Sequence, residues 1–148
     1  MGHYVSVRGW IEIDPEKLPY VRHLLQEFPN ASGENVLTPE QVRLYAQGWV
    51  LAEDSPNWTK YCFYGADIRR EALAWLLAQV RMLAQTLHEG DEIGGDTAQR
   101  YDGMFCIDDD EGELSLVWYL KNGAVKEAAH SHPALDAVAQ EVHGRVAS

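Results

Sequence analysis

The densest chemical potential in the chain lies in a run of carboxylates, Asp108, Asp109, Asp110, Glu111 and Glu113. Oxygen clusters of this kind hold calcium when several of them close on one ion. The spacing argues against that use. Counted from Asp108, the glycine of the run, Gly112, falls at the fifth position instead of the sixth, and no glutamate closes a twelve-residue loop. His130 and His132 make an alternating pair that a transition metal can use on a strand face, but no third ligand stands at a useful spacing, so no metal is expected. Ser131 between them lacks the Gly-x-Ser-x-Gly elbow that exposes a hydrolase nucleophile. The stretch GDEIGGDTAQR has no Gly-Lys-Ser/Thr, is itself anionic and follows a helix pattern rather than opening one, which excludes a phosphate cradle. Cys62 and Cys106 stand far apart, without Cys-x-x-Cys spacing, and read as buried free thiols. No reaction is specified by these residues. The chain is expected to be no enzyme and to carry no cofactor.

The acids retain two readings, solubilising charge or a ridge that faces a partner, and their distribution bears on the choice. Net charge is −11. Residues 89–113 hold ten acids against Arg100 alone, a balance of −9. Nucleic acids and anionic membranes are bound through Lys and Arg, so neither is an expected partner; a basic protein is. No apolar run approaches the roughly 20 residues of a membrane span. The opening MGHYVSVRGW has neither the basic nor the apolar region of a secretory signal, and free thiols suit a reducing compartment, so a cytoplasmic location is expected.

The elements that must position these groups centre on Trp58 to His88. WTKYCFY alternates with period two, Thr59, Tyr61 and Phe63 against Trp58, Lys60, Cys62 and Tyr64, and reads as a strand turning through Gly65. Asp67 then stands as an N-cap before a helix whose stripe is Leu73, Leu76, Leu77, Val80, Leu83, Ala84 and Leu87. Arg69, Arg70, Gln79, Arg81 and Gln85 lie off that stripe, and Gly90 is the expected C-cap.

Upstream, Tyr4 to Ile13 is a strand with Val5, Val7, Ile11 and Ile13 on its core face and Tyr4, Ser6, Arg8, Trp10 and Glu12 on the other. Asp14-Pro15 opens a helix carrying Leu18, Val21, Leu25 and Phe28. Thr38 to Gln41 matches a capping box for a single helical turn, and Val42 to Ala52 reads as a second strand because Gly48 would sit inside a helix. Met104 to Ile107 and Leu114 to Leu120 form a hairpin through the acidic run. Asn122-Gly123 turns into a further strand reaching about Ala129, and Pro133 starts a last helix with Leu135, Val138, Val142 and Val146 inward.

This order predicts one α+β domain over residues 1–148. Its expected form is a ferredoxin-like split β-α-β sandwich, a mainly antiparallel sheet with helices on one face, plus an added C-terminal hairpin and helix. Trp10 on the first strand, and Trp58 and Tyr64 on theirs, then share an outward platform if the two faces coincide. Such aromatics either anchor an interface or pack under the last helix. The expected binding set is Trp10, Trp58, Tyr64, Asp108, Asp109, Asp110, Glu111 and Glu113.

The blocks YVSVRGWIE, WTKYCFYGADIRREALAWL and DGMFCIDDDEGE, in this order on a small acidic domain, resemble those of bacterial immunity proteins that neutralise secreted toxins. The resemblance implies a cytoplasmic protein that binds one cognate toxin tightly. A ligand-binding or regulatory module, and a small enzyme with a site assembled from scattered residues, stand as the alternatives.

Overall fold

The computed structural model describes residues 3–30, 37–54, 56, 58–88, 101–112 and 114–129. The first strand, β1 (Tyr4–Ile13), follows its alternation: Val5, Val7, Ile11 and Ile13 are buried while Tyr4 and Arg8 are exposed. Asp14 and Pro15 lead through a short 3₁₀ turn into helix α1 (Leu18–Glu27), which buries Val21, with Phe28 buried just beyond it.

Helix α2 (Pro39–Ala46) corrects the expectation of a strand from Val42. The capping box is complete, Gln41 N–H donating to Thr38 Oγ1 at 3.2 Å and Thr38 N–H to Gln41 Oε1 at 2.9 Å. Val42, Tyr45 and Ala46 are buried at three- and four-residue spacing, so the helix has a face to cover. Gly48 interrupts nothing, because the helix has ended before it. Only the last residues of the expected strand form one, β2 (Trp49–Ala52).

Strand β3 (Lys60–Arg69) runs five residues past the expected tyrosine and continues through Gly65 without turning. Asp67 is therefore a strand residue, accepting from Ser6 Oγ at 2.5 Å, and caps no helix. A 3₁₀ turn over Arg70–Ala72 leads into α3 (Leu73–His88), which buries Trp75, Leu76, Gln79, Val80, Leu83, Ala84 and Leu87. Gln79 is thus on the stripe, not off it: it completes the three- and four-residue series through Trp75, Leu76, Val80 and Leu83. Its Oε1 accepts from Trp49 Nε1 at 2.8 Å.

The remaining strands are β4 (Gly103–Asp109), β5 (Ser115–Lys121) and β6 (Ala124–Ala129). Gly112 in the β4–β5 turn has φ 76°, and the β5–β6 turn places Asn122 at φ 53° and Gly123 at φ 79°, the double left-handed geometry for which Asn-Gly is suited. The expected C-cap Gly90, the pair His130 and His132, and the helix from Pro133 lie outside the described residues.

Together these form an α+β structure with one six-stranded antiparallel sheet, ordered β2-β3-β1-β4-β5-β6, and three α-helices among the described residues. The core lies on the sheet face shared by Val7, Ile11, Cys62, Tyr64, Ile68, Phe105, Ile107 and Trp118, which joins Val21 of α1, Tyr45 of α2 and Leu76 and Leu83 of α3 in one cluster. Among the described residues no helix is long and apolar enough to cross a membrane.

Candidate interaction face

Because successive side chains of a strand leave opposite faces, burying one set of side chains presents the other set away from the helices. The strand register aligns that second set into rows. One row crosses the whole sheet: Val50 on β2, Phe63 on β3, Trp10 on β1, Met104 on β4, Tyr119 on β5 and Lys126 on β6 are successive cross-strand partners. Five of the six are apolar or aromatic. Val50 is 57% and Phe63 43% exposed, and Trp10, Met104 and Tyr119 are half-buried. Tyr61, diagonal to Trp10, makes an edge contact with its indole at 6.5 Å and 68°, and stacks with Phe63 at 6.1 Å and 20°. Val117 belongs to the same face, yet it is 2% exposed and lies outside the core cluster. The open part of the face is therefore the side formed by β2, β3 and β1.

At one end of this face the acidic turn between β4 and β5 sits beside the start of β1, Asp110 N–H donating to the Tyr4 carbonyl at 3.3 Å. Its carboxylates are not equivalent. Asp108 is paired with Arg8, which lies diagonal to it on β1, and accepts from Ser115 Oγ at 2.7 Å. Asp109 Oδ2 accepts from Leu114 N–H at 3.0 Å and so shapes the turn. Asp110 and Glu111 are exposed, Glu111 lying 3.5 Å from His3 Nδ1. Glu113 lies outside the described residues. From the Asp108 position to the aromatic row is four residues, about 13 Å at roughly 3.3 Å per residue.

The aromatic expectations fare differently from one another. Trp10 is on the outer face. Trp58 is 78% exposed but precedes β3 instead of standing on it. Tyr64 is on the opposite face, 2% exposed, with its hydroxyl donating to the Tyr45 carbonyl at 2.8 Å and held in its neutral form as burial raises its pKa. The strand keeps the expected period, but its outward side is the one opposite to that expected. Ile68 would have decided it: it has the same parity as Cys62 and Tyr64, and an isoleucine there belongs to the core once the strand is extended past Gly65. Tyr61 and Phe63 then become the outward pair.

Of the groups with reactive potential, Cys62 is fully buried, and burial pushes its thiol up to about 12. Cys106 is half-buried on the outer face, opposite Arg8, which corrects the expectation of two buried thiols; neither is in a disulfide. His88 Nε2 and Asp102 Oδ2 are 2.7 Å apart and tie the end of α3 to the residue before β4. Ligand atoms of His3, Asp110 and Glu111 lie within 4.8 Å of one another, but all three side chains are exposed. They have no buried scaffold to fix a coordination geometry. What the arrangement offers chemically is an aromatic surface with a carboxylate rim. Comparison with known proteins finds no matching family model, no matching curated protein and no matching solved structure.

Proposed function

We propose that this is an interaction protein of the immunity type, which neutralises a basic cognate toxin in the bacterial cytoplasm by docking it on the open sheet face. The observation that carries this reading is the row Val50–Phe63–Trp10, apolar and aromatic side chains aligned across three adjacent strands on the side away from the described helices. Contiguous apolar surface rimmed by polar groups is what a docking face requires, and Trp and Tyr are the usual anchors of such faces. Asp110 and Glu111 at the rim, within a chain of net charge −11, supply the long-range attraction that speeds encounter with a cationic partner. The fold in this proposal is ferredoxin-like. Its support is the neighbour order β2-β3-β1-β4, all antiparallel, with helical connections from β1 to β2 and from β3 to β4.

The test is co-expression with a toxin domain, sought in the reading frames next to the one that encodes this chain. Host growth should be protected and a stable complex recovered, with Trp10→Ala and Phe63→Ala raising the dissociation rate. An unprotected host, or a complex indifferent to both substitutions, would overturn the proposal.

A further inference from the structure

We infer that the seam between α2, β2 and α3 holds an internal water molecule, which accepts from the indole N–H of Trp75 and from a side-chain N–H of Gln79. Both residues are closed off, Trp75 4% and Gln79 3% exposed. Trp75 Nε1 and Gln79 Nε2 are themselves buried, and among the described residues neither meets an acceptor. Buried donors are almost always hydrogen-bonded, because an unpaired one gives up its bonds to solvent and gains nothing in return. The amide cannot escape by turning over. Trp49 Nε1 donates to Gln79 Oε1 at 2.8 Å, and an indole can only donate, so the amide oxygen is held on that side and the nitrogen with its hydrogens faces away. Exchanging the two ends would set donor against donor.

Position makes the two donors one site. Trp75 and Gln79 stand one helical turn apart on α3 and so are neighbours on one face, and helical side chains lean towards the N-terminus, which carries the Gln79 amide over the turn of Trp75. Tyr45 of α2 closes the Trp75 side, with ring centres 6.3 Å apart at 53°, and Trp49 of β2 closes the Gln79 side. The group that fits is a neutral oxygen with two lone pairs, since indoles and a carboxamide carry no charge to offset a buried anion. Water is the acceptor small enough for an interior this closed, and the two donors supply part of the roughly two to four polar partners that an internal water requires. Its own protons go to peptide carbonyls, which keep a lone pair after their helical bond is made. Held in this way, Gln79 fixes Trp49 and with it the strand that presents Val50 on the outer face.

The experiment is water-selective NOE and ROE spectroscopy on the isotope-labelled full chain. The indole N–H proton of Trp75 and the side-chain amide protons of Gln79 should both show cross-peaks to water, of opposite sign in the two spectra, the signature of a water that tumbles with the protein. Tyr45→Phe removes the hydroxyl on the neighbouring ring, which could relay such a signal by exchange with solvent, and the cross-peaks should survive it. Trp75→Phe keeps an aromatic ring and takes away one donor, so the Gln79 cross-peak should lose intensity as the water is held less long. No cross-peak at either group, a cross-peak at only one, or loss of both in folded Tyr45→Phe would overturn the shared water. An unchanged Gln79 cross-peak in folded Trp75→Phe would overturn it too. So would a scalar coupling across the hydrogen bond from either nitrogen to a carbonyl carbon of the chain, which would give the donors a protein acceptor. The inference stands apart from the docking reading, whose own test is the cognate complex.

Discussion

Gly9 is the position where a single methyl group tests the packing most directly. It has the core-facing parity of β1, and a Cβ built there would lie 2.1 Å from Phe105 Cδ1, 2.4 Å from Phe105 Cγ and 2.7 Å from the Met104 carbonyl oxygen. Comfortable carbon contacts are near 3.5 to 4 Å, so the ring or the strand must retreat by more than about 1 Å. The ring has nowhere to go: Phe105 is fully buried between Trp49 at 6.0 Å and Trp118 at 6.3 Å. The carbonyl belongs to the β1–β4 ladder and moves only with it. Overpacking of this kind costs about 1 to 3 kcal/mol. The entropic gain of Gly→Ala, about 0.4 to 1 kcal/mol, applies only where the methyl fits without strain. Gly9→Ala should therefore destabilise the protein by about 2 to 3 kcal/mol. Equilibrium urea unfolding measures it, as a fall in the midpoint at unchanged slope. Phe105→Leu alone opens space above Gly9, and in the double variant the alanine methyl takes up part of it. The double should therefore be less destabilised than the two singles added together, by about 1 kcal/mol, as is usual for residues in contact. A neutral Gly9→Ala, or strict additivity, would refute the stacking of Phe105 over Gly9 and with it the β1–β4 register.

Four further outcomes follow from the same geometry. Leu76→Ala and Leu83→Ala, at positions essentially without exposure, should each cost about 2 to 5 kcal/mol in the same unfolding assay, and values below that would place α3 off the sheet. Stability should fall as pH rises from about 9 towards 12. The folded thiol of Cys62 keeps its proton until about 12 while the unfolded chain gives it up near 9.0, so the unfolded state is favoured in that window. Cys62→Ala should flatten the slope there, and an unchanged slope would show that the thiol is not desolvated. Asp110→Lys with Glu111→Lys should leave stability within about 0.5 kcal/mol while slowing association with a basic partner and weakening its salt dependence. Asp108→Lys, by contrast, sets a second cation beside Arg8 and should lower the unfolding midpoint. Zinc or calcium should leave the thermal midpoint where it is, and a rise reversed by chelator would instead establish a site at His3, Asp110 and Glu111.

Local sequence determined much of this protein. Strict alternation in Tyr4–Ile13 is enough to define a strand and its buried side, because period two leaves a ten-residue segment one way to hide four aliphatics. Asn122-Gly123 likewise specifies its hairpin, since few other residue pairs accept two consecutive left-handed conformations. The spacing from Leu76 to Leu87 marks α3, and the capping box at Thr38 marks the start of α2.

Tertiary contact decided the rest. Whether the residues before Gly48 were helix or strand depended on a buried site for Val42, Tyr45 and Ala46, which exists only once α3 and β3 are in place. The end of β3 was decided by ten consecutive pairings with β1, which hold Asp67 in the sheet against its own preference for a helix cap. Gln79 is polar by sequence and internal by structure, because Trp49 supplies a donor from another element. The docking face came last in this hierarchy. Its residues Trp10, Val50 and Phe63 lie on three strands far apart in the chain, and no local pattern relates them. Register alone aligns them, and register is a property of paired strands rather than of any one segment.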